Sequence, residues 1–221
     1  MWKKYHSTIL VLSITSLLGI VLVAFRVYRT GYYTFYFLIW NLFLAWIPLV
    51  LSIFIETLFR KKKKINMFMM ILGIVWLLFY PNAPYMLTDL IHIQISKLMP
   101  VWFDVILILS FAWTGLFAGF ISLFILQNMI RKAMGNLASM IFVVISIELG
   151  SFGVFLGRFL RWNSWDLFTS PSAITYDVIN RIIDPFSNKW SWLFTLMFSA
   201  FSFFTYLLLY TFSKLHKEWE E

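Results

Sequence analysis

Apolar residues in this chain come in long runs that alternate with short polar and charged stretches. A helix rises about 1.5 Å per residue, so about 20 apolar residues cross a hydrocarbon core of about 30 Å. Six runs approach or reach that length, and the third is short. They cover residues 8–25, 34–58, 65–80, 101–126, 137–159 and 190–212. The pattern predicts an all-α, polytopic transmembrane bundle of six spans. Without a visible repeat or linker, residues 1–221 are expected to form a single integral membrane domain.

Composition favours lipid over water as the solvent of most side chains. The chain is 61% hydrophobic and 13% charged, whereas soluble domains are roughly 45 to 50% apolar and about 25% charged. It has no Cys, which excludes a disulfide framework, a thiolate metal site and a Cys nucleophile. The first run is longer than a signal peptide core and lacks a small-residue cleavage site, so we expect it to remain as span one.

The positive charge predicts the topology. In so apolar a chain, a net charge of +8 is interpreted as a topology signal, and no nucleic-acid partner is expected. If the N-terminus is cytoplasmic, most of the 18 Lys and Arg residues fall on inner loops and chain ends, including Lys3, Lys4 and the basic run at residues 60–64. Both termini are therefore predicted to lie in the cytoplasm. The basic run is a stop-transfer flank in the simpler interpretation and a binding site for anionic lipid headgroups in the other.

The third span is predicted to be broken at its outer end. It runs into Pro81, Asn82, Pro84 and Tyr85 while the sequence beyond stays apolar. Two prolines block a continuous helix. Since irregular backbone at membrane depth must be buried in protein or line a wet cavity, the pattern predicts a discontinuous or re-entrant element.

Asp89 and His92 follow the break and are candidates for chemistry. In a helix their i, i+3 spacing places them on one side. They are predicted to act as two metal ligands or as a histidine oriented by a carboxylate for acid–base work. In the alternative, Asp89 or Thr88 caps a short interfacial helix and His92 lies at the headgroup level.

Glu148 lies near the middle of span five, where a carboxylate is by default functional or paired. Helical spacing groups it with Ser151, Phe155 and Arg158, opposite a glycine face suited to close packing. The glutamate face is therefore expected to line a cavity. The alternative is a protonated or hydrogen-bonded Glu148 that holds helices together.

The end of span five gathers polar and aromatic side chains. Arg158, Arg161, Asn163 and Asp166 are candidates to bind a substrate, together with Asn82 and Tyr85 of the break. A guanidinium group suits a phosphate or carboxylate, or a structural pair with Asp89, Asp104 or Asp166. An interfacial aromatic belt with snorkelling arginines is the simpler explanation.

Three further patterns concern packing. Gly115 and Gly119 are expected to mark a helix contact in span four, and Asp104 to cap that span. Between spans five and six, Ser170 with Pro171 predicts a helix start, and Asp184 with Pro185 predicts its end. This helix is expected to lie on the outer membrane surface, with Asp177 paired to Arg181 and an apolar face formed by Ile174, Val178 and Ile182.

The break and the end of span five together resemble a bacterial integral membrane family, domain of unknown function 1361. The resemblance depends on two segments and covers most of the chain. They are Pro81-Asn82-Ala83-Pro84-Tyr85 with Thr88, Asp89, Leu90 and His92, and Gly157-Arg158 with Arg161, Asn163, Ser164, Trp165 and Asp166. It implies a multi-pass protein of the bacterial cytoplasmic membrane and no known reaction, so no catalytic role is carried over.

Three functions fit these residues. In the first, an outward-facing polar pocket binds or processes an amphipathic anionic substrate, such as a lipid or lipid-linked precursor; Asp89 then lies within about 6 Å of Arg158 or Arg161. In the second, the protein is a small proton- or ion-coupled transporter that uses Glu148. In the third it is a membrane scaffold or assembly partner. The sequence identifies no cofactor. Any metal is expected at Asp89 and His92.

Cysteine labelling tests the topology in a chain that lacks native cysteines. We expect Lys62→Cys to resist a membrane-impermeant thiol reagent in intact cells and to react once the membrane is permeabilised. Asn163→Cys serves as the control and should react in both. Labelling of Lys62→Cys in intact cells would contradict the predicted orientation.

Overall fold

The computed structural model describes residues 5–93 and 98–218, with side chains to residue 212. Lys3 and Lys4 lie outside the described residues. Every regular element in the described part is helical. The elements are α1 His6–Thr30, α2 Phe37–Lys62, α3 Met67–Phe79, α4 Asn82–Tyr85, a 3₁₀ segment Met86–His92, α5 Val101–Met134, α6 Asn136–Phe159, α7 Asp166–Thr169, α8 Pro171–Ile183 and α9 Lys189–Glu218.

The six predicted spans are confirmed. Within the described residues, six helical stretches are long and apolar enough to cross a membrane: α1, α2, α5, α6, α9 and the stretch Met67–His92 that contains the break. The most apolar part of α1 is only 17% buried, whereas that of α5 is 61% buried. Large apolar side chains on α1, α3 and α9 are exposed accordingly. Only lipid satisfies so much exposed apolar surface, so this is a multi-pass membrane protein.

Helix ends follow local chemistry. Helix α2 ends in three basic residues, which complement the negative end of the helix dipole, and Lys63 then takes a left-handed conformation with φ 53°. The Asn66 side chain accepts the Met69 N–H at 2.9 Å and starts α3. Pro171 is the first residue of α8 and Asp184 its C-cap, as predicted.

The described chain forms two compact units, Met1–Leu126 and Gln127–Glu221. The first contains α1 to α4, the 3₁₀ segment and most of α5. One of its apolar cores joins α1, α2, α4, the 3₁₀ segment and α5 through buried residues. They are Val23, Phe35, Leu38, Leu42, Ala45, Ala83, Met86, Phe103, Leu107, Ile108 and Phe111.

In the second unit, α6 packs on α9 through aromatic rings. The Phe155 and Phe159 rings lie 6.0 and 5.1 Å from that of Phe194, and the Phe152 ring lies 5.9 Å from that of Trp192. Such ring pairs contribute about 0.5 to 1.5 kcal/mol beyond the area that they bury. The sequence placed Phe155 on a cavity-lining face, whereas the structure packs it against α9.

The break in the third span packs on the glycines of α5. A Cβ added at Gly119 would lie 2.7 Å from Ala83 Cβ, and one at Gly115 would lie 2.9 Å from the Ala83 carbonyl oxygen. These distances are below normal contact, so only glycine admits the irregular backbone at this depth. The predicted contact of Gly115 and Gly119 is confirmed, and its partner is the broken segment.

Replacing one of these glycines should therefore destabilise the fold. We expect Gly119→Ala to lower the free energy of unfolding in detergent by about 1 to 3 kcal/mol, the range for overpacking. Gly73→Ala in α3 is the matched control, because nothing lies within 4 Å of its added Cβ and alanine favours the helix by about 1 kcal/mol. Equal effects of the two changes on thermal or denaturant unfolding would contradict the contact.

Candidate functional site

Hydrogen bonds around the break support the backbone that the prolines distort. In a continuous helix Pro84 would serve the Tyr80 carbonyl, which accepts instead from the Ala83 N–H at 3.2 Å. On either side, the Asn82 amide donates to the Phe79 carbonyl at 2.9 Å, and the Thr88 hydroxyl donates to the Tyr85 carbonyl at 2.6 Å. Asn82 and Tyr85, predicted to bind a substrate, thus also take part in holding the break.

Asp89 is completely buried in the first unit, with 0% of its surface exposed. Its carboxylate Oδ2 accepts a hydrogen bond from Asn41 Nδ2 of α2 at 3.2 Å. A buried carboxylate needs such donors, because taking it out of water costs several kcal/mol. Asp89, a predicted catalytic residue, therefore joins the 3₁₀ segment to α2 through this hydrogen bond.

His92 lies three residues further on but is exposed. Its ring meets that of Phe37 edge-on, 5.1 Å between centroids. Among the described side chains, no three His, Asp or Glu come together as a metal site. The roles of Asp89 and His92 in acid–base or metal chemistry stay predictions, as does the juxtaposition of Asp89 with Arg158 or Arg161.

A second buried carboxylate in this unit forms an ion pair. Asp104 accepts two hydrogen bonds from Arg26, Nε at 2.7 Å and Nη2 at 3.1 Å, and both residues are buried. The Arg26 guanidinium also lies 4.3 Å from the centroid of the Phe35 ring. This two-point contact joins α1 to α5 and assigns Asp104 a tertiary partner instead of a simple capping role.

A polar cluster forms where α1 begins and α2 ends. The Tyr5 hydroxyl donates to Glu56 Oε2 at 2.8 Å, and Arg60 Nε and Nη2 donate to Glu56 Oε1 at 2.8 and 2.6 Å. Burial, together with the bond to Glu56, raises the pKa of the Tyr5 hydroxyl. Glu56 thus partly neutralises the charge of Arg60, the first residue of the basic run at 60–64.

In the second unit, Glu148 lies half-buried in the middle of α6. It makes no hydrogen bond or ion pair with the residues that the structure describes. Phe152, one turn later, meets Trp192 of α9, so the glutamate continues the stripe that packs on α9. Whether it carries a proton or holds helices together stays a prediction.

The end of α6 presents two arginines in different ways. Arg158 is half-buried in the last turn. Arg161 is exposed and adopts φ 61°, a left-handed conformation that usually belongs to glycine. The next N–H, of Trp162, turns back onto the Leu156 carbonyl at 3.2 Å. The chain therefore reverses over the helix end with an arginine at the tip of the turn.

Asn163 and Asp166 order the following loop. The backbone N–H of Asn163 donates to Asp166 Oδ2 at 2.7 Å, its side-chain amide at 3.1 Å, and the Thr169 hydroxyl donates to Oδ1 at 3.1 Å. These donors, the Asn163 N–H foremost, hold the pKa of the Asp166 carboxyl below its usual value. The carboxylate is engaged in shaping the loop.

The protein-family comparison matches the region that contains the break and the end of α6. Residues 40–205 match the model "Protein of unknown function (DUF1361)". The chain belongs to this family. The match confirms the predicted family and covers the break, Glu148 and the loop after α6. No curated protein and no solved structure matches the chain, so the geometry of this DUF1361 protein carries the functional argument.

Several polar contacts were missed by the sequence analysis. No partner was predicted for Arg26, which the structure buries against Asp104. The pair of Arg181 with Asp177 was predicted, but the burial of the Arg181 side chain was not. Asn41 and Glu56 lie within apolar spans, and the rule that selected Glu148 would have selected them too. Their partners were not predictable from local pattern.

The Arg26–Asp104 pair yields a direct stability test. Asp104→Ala leaves the buried guanidinium without its carboxylate, and we expect the free energy of unfolding to fall by about 3 to 5 kcal/mol. The double change Arg26→Met with Asp104→Leu should recover most of that loss, since it removes both charges. Arg29→Gln, three residues from Arg26 and exposed, is the control. If the double variant does not recover the lost free energy of unfolding, the pair contributes more to stability than the mutual neutralisation of two buried charges.

Proposed function

We propose that this protein binds the anionic head of an amphipathic molecule, a lipid or lipid-linked precursor, at the end of α6. Arg158 and Arg161 supply the positive charge. In this proposal the protein lies in a bacterial cytoplasmic membrane with both termini inside, and the loop after α6 faces outward. Acid–base or metal chemistry by Asp89, His92 and Glu148 stays a separate prediction.

Arg161 is the observation that carries the proposal. It makes no hydrogen bond or ion pair with the described residues, and its left-handed backbone costs about 1 to 2 kcal/mol relative to glycine. Arg26 and Arg181, in contrast, hold carboxylates. An exposed cation in a strained turn has no evident structural use. Binding of a ligand of opposite charge would explain why an arginine occupies this turn.

The neighbouring helices give the ligand its amphipathic character. Beyond the arginines, α7, α8 and the turn after α8 expose apolar side chains, while Arg181 of α8 is buried. The exposed residues are Phe168, Tyr176, Ile179, Ile182, Ile183 and Phe186. A helix with this arrangement suits the boundary between headgroups and acyl chains. In such a setting, a guanidinium group at the same end of α6 meets phosphate while the apolar surface meets lipid tails.

Glu148 favours a second candidate function, ion-coupled transport. A half-buried carboxylate that has no partner among the described residues, near the middle of a span, is suited to carry a proton or cation. If this function holds, Glu148→Gln abolishes proton or cation flux in reconstituted liposomes, whereas Arg161 variants retain it. If the protein instead binds lipid as proposed, Arg161 variants lose binding and Glu148→Gln retains it.

Binding of anionic lipid by Arg161 variants tests the proposal. We expect native mass spectrometry to show bound phosphatidylglycerol in excess over phosphatidylcholine on the wild-type protein. Arg161→Gln should reduce that excess by about tenfold, the effect of losing about 1.4 kcal/mol. Arg161→Gly should bind as weakly and yet unfold at a higher temperature, because glycine accepts the left-handed turn.

Lys189→Gln is the matched control, since it removes an exposed positive charge from the same unit and should leave the lipid preference unchanged. If Arg161→Gln keeps the preference, or if Lys189→Gln loses it equally, binding depends on general charge and the proposal is wrong.

A further inference from the structure

Four consecutive lysines lie where α2 ends and the turn to α3 begins. Lys61 and Lys62 are the last residues of α2, and Lys63 and Lys64 follow in the turn. All four are exposed, and they form no hydrogen bond or ion pair with the residues that the structure describes. Residues 61–64, here called the lysine segment, therefore present four positive charges that no carboxylate of the described chain balances.

The fifth basic residue of the run differs from these four. Arg60 Nη2 lies 2.6 Å from Glu56 Oε1, and Glu56 also accepts a hydrogen bond from the Tyr5 hydroxyl. A carboxylate at this distance largely cancels the field of the guanidinium beyond the pair. The structure thus separates Arg60, whose charge is used within the protein, from the lysines, whose charge is directed outward.

The turn keeps the lysine segment at the membrane surface. Lys63 takes a left-handed conformation that ends α2, and the Asn66 side chain caps the start of α3. Helix α3 begins at Met67, and the three residue steps from Lys64 to Met67 reach at most about 11 Å. Since α2 and the stretch from Met67 are both membrane spans, the lysines lie near the headgroups, at a distance comparable with the Debye length of about 8 to 10 Å.

Exposed apolar side chains follow the lysine segment directly. Met67 is 72% exposed and Phe68 is 51% exposed, both in the first turn of α3. Cations next to exposed apolar side chains suit the boundary between headgroups and acyl chains. A nucleic acid would match the lysines and leave the apolar side chains in contact with water. The combination therefore favours a lipid surface as the partner.

We propose that the lysine segment, with Met67 and Phe68 beside it, binds anionic phospholipid headgroups. A lysine ammonium group attracts phosphate as a point charge, and clustered lysines next to a span attract anionic lipid in proportion to their number. The surface belongs to the first unit, whereas the end of α6 belongs to the second. The inference therefore goes beyond the proposed function and does not depend on it.

Lipid quenching beside the lysine segment tests the proposal. The full-length protein with Met70→Cys, an exposed position in α3, is labelled with a fluorophore and reconstituted into liposomes. Phosphatidylglycerol or phosphatidylcholine, spin-labelled near the glycerol, then quenches the fluorophore according to how often each lipid lies beside it. We expect phosphatidylglycerol to be preferred. Each lysine should contribute about fivefold to the preference, so Lys61→Gln with Lys64→Gln should reduce it at least tenfold.

Two matched controls separate the lysine segment from general charge. Glu56→Gln with Arg60→Gln removes the ion pair without changing the net charge, and should leave the preference unchanged. Arg29→Gln removes an exposed cation of the same unit, about 35 Å along α1 from the Tyr5–Glu56 contact, and should also leave it unchanged. Salt at 1 M, where the Debye length is about 3 Å, should weaken the preference of the wild type.

Several results would overturn the proposal. They are an absence of lipid preference in the wild type, a preference that 1 M salt does not weaken, an unchanged preference in the double lysine variant, and an equal loss in either control.

The function proposed for the end of α6 is tested separately. A preference beside Met70 that needs the lysines and persists in Arg161→Gln supports this surface whether or not Arg161 binds lipid.

Discussion

The first unit depends on one constraint. Backbone N–H and C=O groups must find hydrogen-bond partners within the protein where there is no water. Pro81 and Pro84 lack the N–H groups that a continuous span would use, and lipid offers no replacement. The Ala83 N–H bonds the Tyr80 carbonyl that Pro84 would otherwise serve, and Asn82 and Thr88 donate to carbonyls on either side of the break. Gly115 and Gly119 then allow α5 to cover the irregular backbone closely. Asp89, in the 3₁₀ segment that follows, is completely buried and accepts a hydrogen bond from Asn41 of α2.

The features predicted from sequence are those that local pattern determines. Six apolar runs predicted the spans, because span length follows from the thickness of the hydrocarbon core. The two prolines predicted the break, and the spacing of Asp177 and Arg181 predicted their pair, which the structure confirms. Each of these depends on residues a few positions apart.

Tertiary partners were beyond the reach of that reasoning. Arg26 and Asp104 are 78 positions apart, and a single sequence contains no sign that they meet. Arg181 shows a second limit. The sequence predicted an apolar face and an ion pair on α8 but not which side is buried; the structure buries Arg181 and exposes Tyr176, Ile179 and Ile183. In lipid, an exposed apolar face carries no penalty, so periodicity alone does not determine which face is buried.

A backbone cost in the second unit agrees with the proposed anion site. The left-handed turn at Arg161 destabilises the unliganded protein by about 1 to 2 kcal/mol relative to glycine at that position. An anion present at 100 times its dissociation constant stabilises a protein by about 2.7 kcal/mol, which is enough to offset a cost of this size. If Arg161 binds the headgroup as proposed, the bound protein is therefore more stable than the same chain with glycine at the turn and no ligand.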